Sequence, residues 1–228
     1  MKCQECAFGD VKSSDPLSKF LHKYFSQHKM TLKMNSFSDM EAIWRCNKCP
    51  MEMSAELIRE SLKELQNEIE CTNSIEFLEG SLEEYEAILH PNHFIMVSMK
   101  NTLIDSYGHI KGYLLPELPD ILLKRKIELC EEVLAILDVF ESGKSRSRAL
   151  MLYKLHGPLV LYAKSQYSSG HITKLEYLEQ LKNAHRILTE CREILEWEDE
   201  DISIQKKFFK ISMDYLNSLL KSDFAAQQ

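Results

Sequence analysis

From Ser54 onward, apolar residues recur at steps of three and four, and capping residues mark each interruption. That pattern restricts the chain to helices more tightly than any other feature it has. In "SAELIRESLKELQNEIE", Ile58, Leu62, Leu65 and Ile69 share one stripe, with Ser54 as the N-cap and Glu56 in the first turn. Seven glycines and six prolines in 228 residues leave few breaks for a strand-and-turn fold. With 44% hydrophobic residues, the chain can bury a core of its own.

The later segments carry their own punctuation. Asn73 and Glu76 predict a capping box before "IEFLEGSLEEYEAILH", with Gly80 weakening its middle. Pro91 suits a first helical position, and Gly108 closes that helix after Tyr107. Next come a loop through "GHIKGYLLPELPD" and a long helix with Ile127, Cys130, Leu134, Leu137 and Phe140 on one face, ended by Gly143. Ser145 caps a helix bearing Ala149, Leu152, His156, Leu159, Ala163 and Tyr167. Thr173 with Glu176 boxes another, bearing Leu178, Leu181, His185, Leu188, Cys191 and Leu195. After "EWEDED", a solvated connector, the last helix shows Ile204, Phe208, Ile211, Tyr215 and Leu219. Long helices joined by short capped turns predict antiparallel neighbours stacked as hairpins, of the tetratricopeptide kind, although no repeat of fixed period is visible.

Residues 1–53 differ in kind. They lack this periodicity over most of their length and hold Cys3-x-x-Cys6 and Cys46-x-x-Cys49. Two such pairs supply the four thiolates that tetrahedral zinc takes at about 2.3 Å. The 39 intervening residues leave the metal geometry unaffected, and zinc binding offsets their closure entropy. A four-cysteine site is closed, so it builds structure rather than chemistry. The competing reading is that one pair is incidental and the thiols are free; a redox role would need a βαβ setting that is missing. The expected organisation is therefore a cysteine-rich zinc-binding region over 1–53 and an α-helical domain over 54–228.

Other residues invite chemistry and fit blander roles better. His90 and His93 in "LHPNHF" flank a helix start with no ligand partner at metal spacing, so capping and packing are expected of them. His156 and His185 lie on or beside apolar stripes, as hydrogen-bonded core imidazoles do. Lys144, Arg146 and Arg148 gather at a helix N-terminus, where an anion or an acidic peptide can bind; a solvated basic cap is the plainer expectation. Cys71, Cys130 and Cys191 stand alone in helical segments as small hydrophobes. The sequence has no Gly-rich phosphate loop, no H-E-x-x-H and no G-x-S-x-G turn.

Charge narrows the partners. Of 28 Lys/Arg and 35 Asp/Glu, the first 53 residues hold eight and six, so the helical part is acidic, at 20 against 29. A formal charge of −7 is a poor footprint for phosphate backbones, leaving nucleic-acid recognition by the zinc segment as the weakest reading. Neither a signal peptide nor a run of about eighteen apolar residues is visible, so an intracellular protein, cytoplasmic or nuclear, without membrane contact is expected.

The order C-x-x-C, P-L, W-x-C-x-x-C, "LHPNH", Tyr107-Gly108, "RK" with "LC" over Arg125–Cys130, "SRSR" and "LYKLHGPL" resembles the C-terminal half of SET and MYND domain-containing proteins, most nearly the branch common in arthropods. The resemblance runs from Cys3 to about Glu198. In that family a MYND zinc finger is inserted in a SET domain that methylates protein lysines with S-adenosylmethionine, followed by a cysteine-rich post-SET region and a helical, tetratricopeptide-like domain. The resemblance implies one structural zinc at Cys3, Cys6, Cys46 and Cys49, with Trp44 beside the second knuckle. The MYND cysteines, the glycine-rich cofactor entry, the asparagine-histidine cofactor motif and the catalytic tyrosine segment have no counterparts here, and Asn92-His93 falls within the family's helical region.

The expectation is thus a non-catalytic helical interaction or scaffold module with one zinc and no S-adenosylmethionine. Its helical surface would meet protein partners or a SET domain. The alternative is a piece of a working protein-lysine methyltransferase whose catalytic domain lies upstream.

Overall fold

The computed structural model describes residues 11–13, 43–72, 74–141, 143–196 and 203–225. Cys3, Cys6, Asn73 and the Trp197–Asp201 part of the acidic connector lie outside the described residues. So do the side chains of Cys71, Ile204 and Phe208. The described chain is mainly helical, and it forms two compact units, 1–99 and 100–228.

In the first unit, strands β1 (Val11–Ser13), β2 (Ile43–Cys46) and β3 (Glu52–Ser54) form an antiparallel sheet in the order β1-β2-β3. An irregular region was the expectation here. Strands of three and four residues are too short to write an alternating pattern, and pairing rather than periodicity defines them. Val11 faces Cys46, and Trp44 sits between Ser13 and Met53.

Helix α1 (Ala55–Cys71) follows directly, with Leu57 N–H donating to the Ser54 hydroxyl at 3.2 Å. Ile58, Leu65 and Ile69 of the expected stripe are buried. Helix α2 (Ile75–Glu86) is capped by Ser74, whose Oγ accepts from Phe77 N–H at 3.2 Å and donates to Glu76 at 2.8 Å. The cap falls one residue later than the Asn73 box predicted. Starting there turns Ile75, Leu78 and Leu82 inward together. Gly80 faces open space on the outer side of α2.

Helix α3 (Phe94–His109) begins three residues beyond Pro91, which lies in the preceding turn. Its helical geometry ends at Tyr107 (ψ 101°) and Gly108 (φ 118°), the left-handed conformation that favours glycine. A 3-10 turn, Leu115–Glu117, leads to α4 (Asp120–Phe140), α5 (Arg146–Ser168), α6 (Lys174–Leu195) and α7 (Ser203–Ala225).

Each of α4, α5 and α6 packs on the helix that follows it. The directions are fixed by contacts at both ends. Gln166, late in α5, donates to Asp120, the first residue of α4, while Arg148 at the start of α5 pairs with Asp138 near the end of α4. Tyr167 stacks on Tyr177 at 4.8 Å, and Lys144 reaches Glu193 at 3.1 Å, so α5 and α6 are antiparallel as well. Ser145 caps α5, and the Thr173–Glu176 capping box is fully formed.

Several stripes differ from expectation. Helix α5 is buried on two sides, through Ala149, Leu152, Val160 and Ala163 but also Met151, Leu155 and Pro158, because it lies between α4 and α6. Phe140, expected on the inner face of α4, is 71% exposed. In α7 the inward stripe is Phe209, Met213 and Leu216, and Ile211 and Tyr215 point outward at 57% and 48% exposure. That helix carries two apolar stripes of similar spacing, and periodicity alone does not choose between them.

Candidate functional site

The cysteine turn is built by the hairpin of β2 and β3. Cys46 ends β2, its N–H donates to Met51 O at 3.1 Å across the turn, and Lys48 N–H donates to Cys46 Sγ at 3.3 Å. An N–H aimed at sulfur stabilises the thiolate, the form that ligates metal. Cys49 sits three residues on in the same turn, and both cysteines are half-buried. Arg45 and Glu52 close the hairpin with a 2.7 Å ion pair. Among the described residues no cluster of three or more potential metal ligands forms. The structure thus brings together the second half of the expected ligand set, and Cys3 and Cys6 lie outside what it describes.

A second constellation lies in the unit of residues 100–228, where α3 ends. Lys126 of α4 is buried, at 4% exposure, and its ammonium donates to Ile104 O at 2.9 Å and to Tyr107 O, two terminal carbonyls of α3. A cation at a helix C-terminus meets the negative end of the dipole. Burial pulls the Lys126 pKa below the ordinary lysine value. A Cβ at Gly108 would stand 3.3 Å from Lys126 Nζ, so glycine both takes the positive φ and admits the lysine.

Around this junction the other helices are pinned to α3. Lys100, also buried, reaches Glu132 of α4 at 2.6 Å, and Asp105 meets Lys154 of α5 at 2.5 Å. Gly157 and Pro158 lie mid-helix in α5, and a Cβ on Gly157 would come within 3.0 Å of Leu115 Cδ2. The pair therefore forms a notch that seats the 3-10 turn. His156, one residue earlier, donates its Nδ1 proton to Tyr153 O and lies 4.8 Å from the Tyr153 ring. Since a carbonyl only accepts, this bond fixes the tautomer; burial lowers the His156 pKa and keeps the ring uncharged at neutral pH.

The remaining candidates resolve into structural roles. His90 Nδ1 accepts from Asn92 N–H at 3.1 Å, and His93 Nδ1 accepts from Ile95 N–H at 3.3 Å, which is capping in imidazole form. His185 is half-buried on α6. In the basic cluster, Lys144 pairs with Glu193, and Arg148 bridges Asp138 and Glu190, while Arg146 is exposed. Cys130 and Cys191 are fully buried, with thiols pushed up to about 12 by burial; Cys191 donates to Ala149 O at 3.2 Å. Neither is an activated nucleophile.

Lys126 was visible only as part of the "RK" pair, and pattern reasoning missed its buried role, hidden as one charge in a charged helix. Its signal was available one position away, in an apolar stripe at Ile127 and Cys130 wide enough to carry Lys126 inside. No helix among the described residues is long and apolar enough to cross a membrane. Compared with models of known protein families the chain matches none, and compared with curated proteins it matches none.

Proposed function

We propose that this chain is a non-catalytic α-helical protein-interaction module, a tetratricopeptide-like stack of antiparallel hairpins, related to the helical part of SET and MYND domain-containing proteins. The observation that carries the reading is where the shared motifs meet. Tyr107-Gly108, Lys126 and Gly157 meet around the end of α3, where Lys126 of α4 holds the Tyr107 carbonyl and Gly157 of α5 seats Leu115, and Cys130 lies buried one turn after Lys126. Motifs spent on helix joints suit a scaffold, and the buried Cys130 thiol beside them stays protonated.

One structural zinc at Cys3, Cys6, Cys46 and Cys49 belongs to this proposal. The Cys46–Cys49 turn, with Lys48 N–H on sulfur, fits thiolate ligation, and Val11, the strand partner of Cys46, is five residues along the sequence from Cys6. Zinc would supply folding energy there, not reactivity. Elemental analysis of purified protein is expected to give one zinc per chain, and Cys46→Ser to abolish it.

The functional test is methyl transfer from S-adenosylmethionine to histone and non-histone proteins, with cofactor binding followed by calorimetry. No turnover and no binding heat are expected; clear turnover sinks the non-catalytic reading. The same motif junction also favours a second reading, in which the helices serve a SET domain of a longer methyltransferase. An in-frame SET segment in the upstream transcript would establish it.

A further inference from the structure

We infer that the outward face of α7 is a docking surface for an acidic amphipathic helix of a partner protein; this rests on the interaction-module reading and names the surface. Helices α4, α5 and α6 each pack on the helix that follows, and α7 ends that order with Phe209, Met213 and Leu216 turned to α6. Ile211 and Tyr215, one turn apart, form a ridge on its other side. Such a ridge at four-residue spacing matches the groove of a further helix, which would extend the stack by one member.

The charge of the same helix selects the partner. Lys207, Lys210 and Lys221 are exposed on α7, make no ion pair among the described residues and outnumber the exposed Asp214 that stands between them. Lys207 lies one turn before Ile211, so the apolar ridge starts beside a cation. In a chain of formal charge −7, this is a local basic surface. A helix with leucines on one stripe and glutamates along its edges is complementary to it in both respects. A lipid surface is the poorer match. Only half of α7 is available and its ridge is narrow, which gives a bilayer little apolar area to hold.

The test uses the full chain and two labelled helical peptides of about eighteen residues, with the same leucine stripe and either glutamate or lysine edges. Fluorescence anisotropy is expected to show the glutamate peptide binding about tenfold or more tightly than the lysine peptide. The paired change Ile211→Ser with Tyr215→Ser should remove that binding. Lys207→Glu with Lys210→Glu should reverse the preference. Both variants alter exposed positions, so unchanged thermal unfolding confirms that they fold. Equal binding of the two peptides, or none, overturns the inference. So does sedimentation with phosphatidylserine-containing vesicles that the serine variant abolishes while the peptides are not discriminated, which makes the face a membrane contact. Self-association in velocity sedimentation that the same variant abolishes makes it a face for a second copy. Methyl transfer separates the two levels: turnover defeats the scaffold reading whatever the peptides do, and absent turnover with undiscriminated peptides defeats only the α7 surface.

Discussion

Lys126 carries the sharpest consequence for a single side chain. Lys126→Met keeps the volume and removes the donor, leaving two buried α3 carbonyls without it, and is expected to cost about 2 kcal/mol in denaturant unfolding. Gly108→Ala should also destabilise, because φ 118° is strained for a residue with a Cβ. His156 adds a pH signature. Its folded pKa is lowered from 6.5, so below pH 6.5 the unfolded chain takes up a proton that the folded chain refuses. Stability is then lost as pH falls from 6.5 towards the folded pKa, and His156→Gln should flatten that part of the profile. Glu176 acts in a lower window. Hydrogen bonds from Thr173 depress its pKa below 4.5, so its contribution is present above pH 4.5 and lost as pH falls through the folded value. The difference in melting temperature between wild type and Glu176→Gln should shrink there.

At the scale of elements, Arg148 joins three helices, since it starts α5 and bonds carboxylates near the ends of α4 and α6. It is only 21% exposed, and Arg148→Met is expected to cost about 1–2 kcal/mol, with Arg148→Lys recovering little because one ammonium cannot reproduce the fork. Helix existence and most caps were legible in the chain, because Ser54, Ser145 and the Thr173–Glu176 pair announce themselves locally. What local pattern does not encode is which neighbour a helix receives. That is why α5 buries two sides rather than one, and why α7 turns Phe209 inward in place of Ile211. The Gly157-Pro158 notch was unreadable for the same reason, as its meaning lies in Leu115, forty-two residues earlier. The cysteine turn was legible from spacing, whereas the β1–β2 pairing beside it depends on a strand of only three residues.

For the whole molecule, the change of sequence character at residue 54 and the division of compact units after Met99 are different boundaries. Helices α1 and α2 lie with the strands in the first unit. Chelation should therefore act locally. In a Trp197→Phe variant, removing zinc is expected to shift the emission of Trp44, two residues before Cys46, while the far-ultraviolet helical signal holds; loss of helix on chelation would contradict it. Within residues 100–228, the Arg148 bridge ties one end of α4, α5 and α6, and the Asp120–Gln166 bond with the Tyr167–Tyr177 stack ties the other. Helices fastened at both ends open together or not at all. Their amide protons should exchange with solvent water as one slow cooperative block, while those of α7, held along a single face, exchange sooner and make that helix the place where a protease first gains entry.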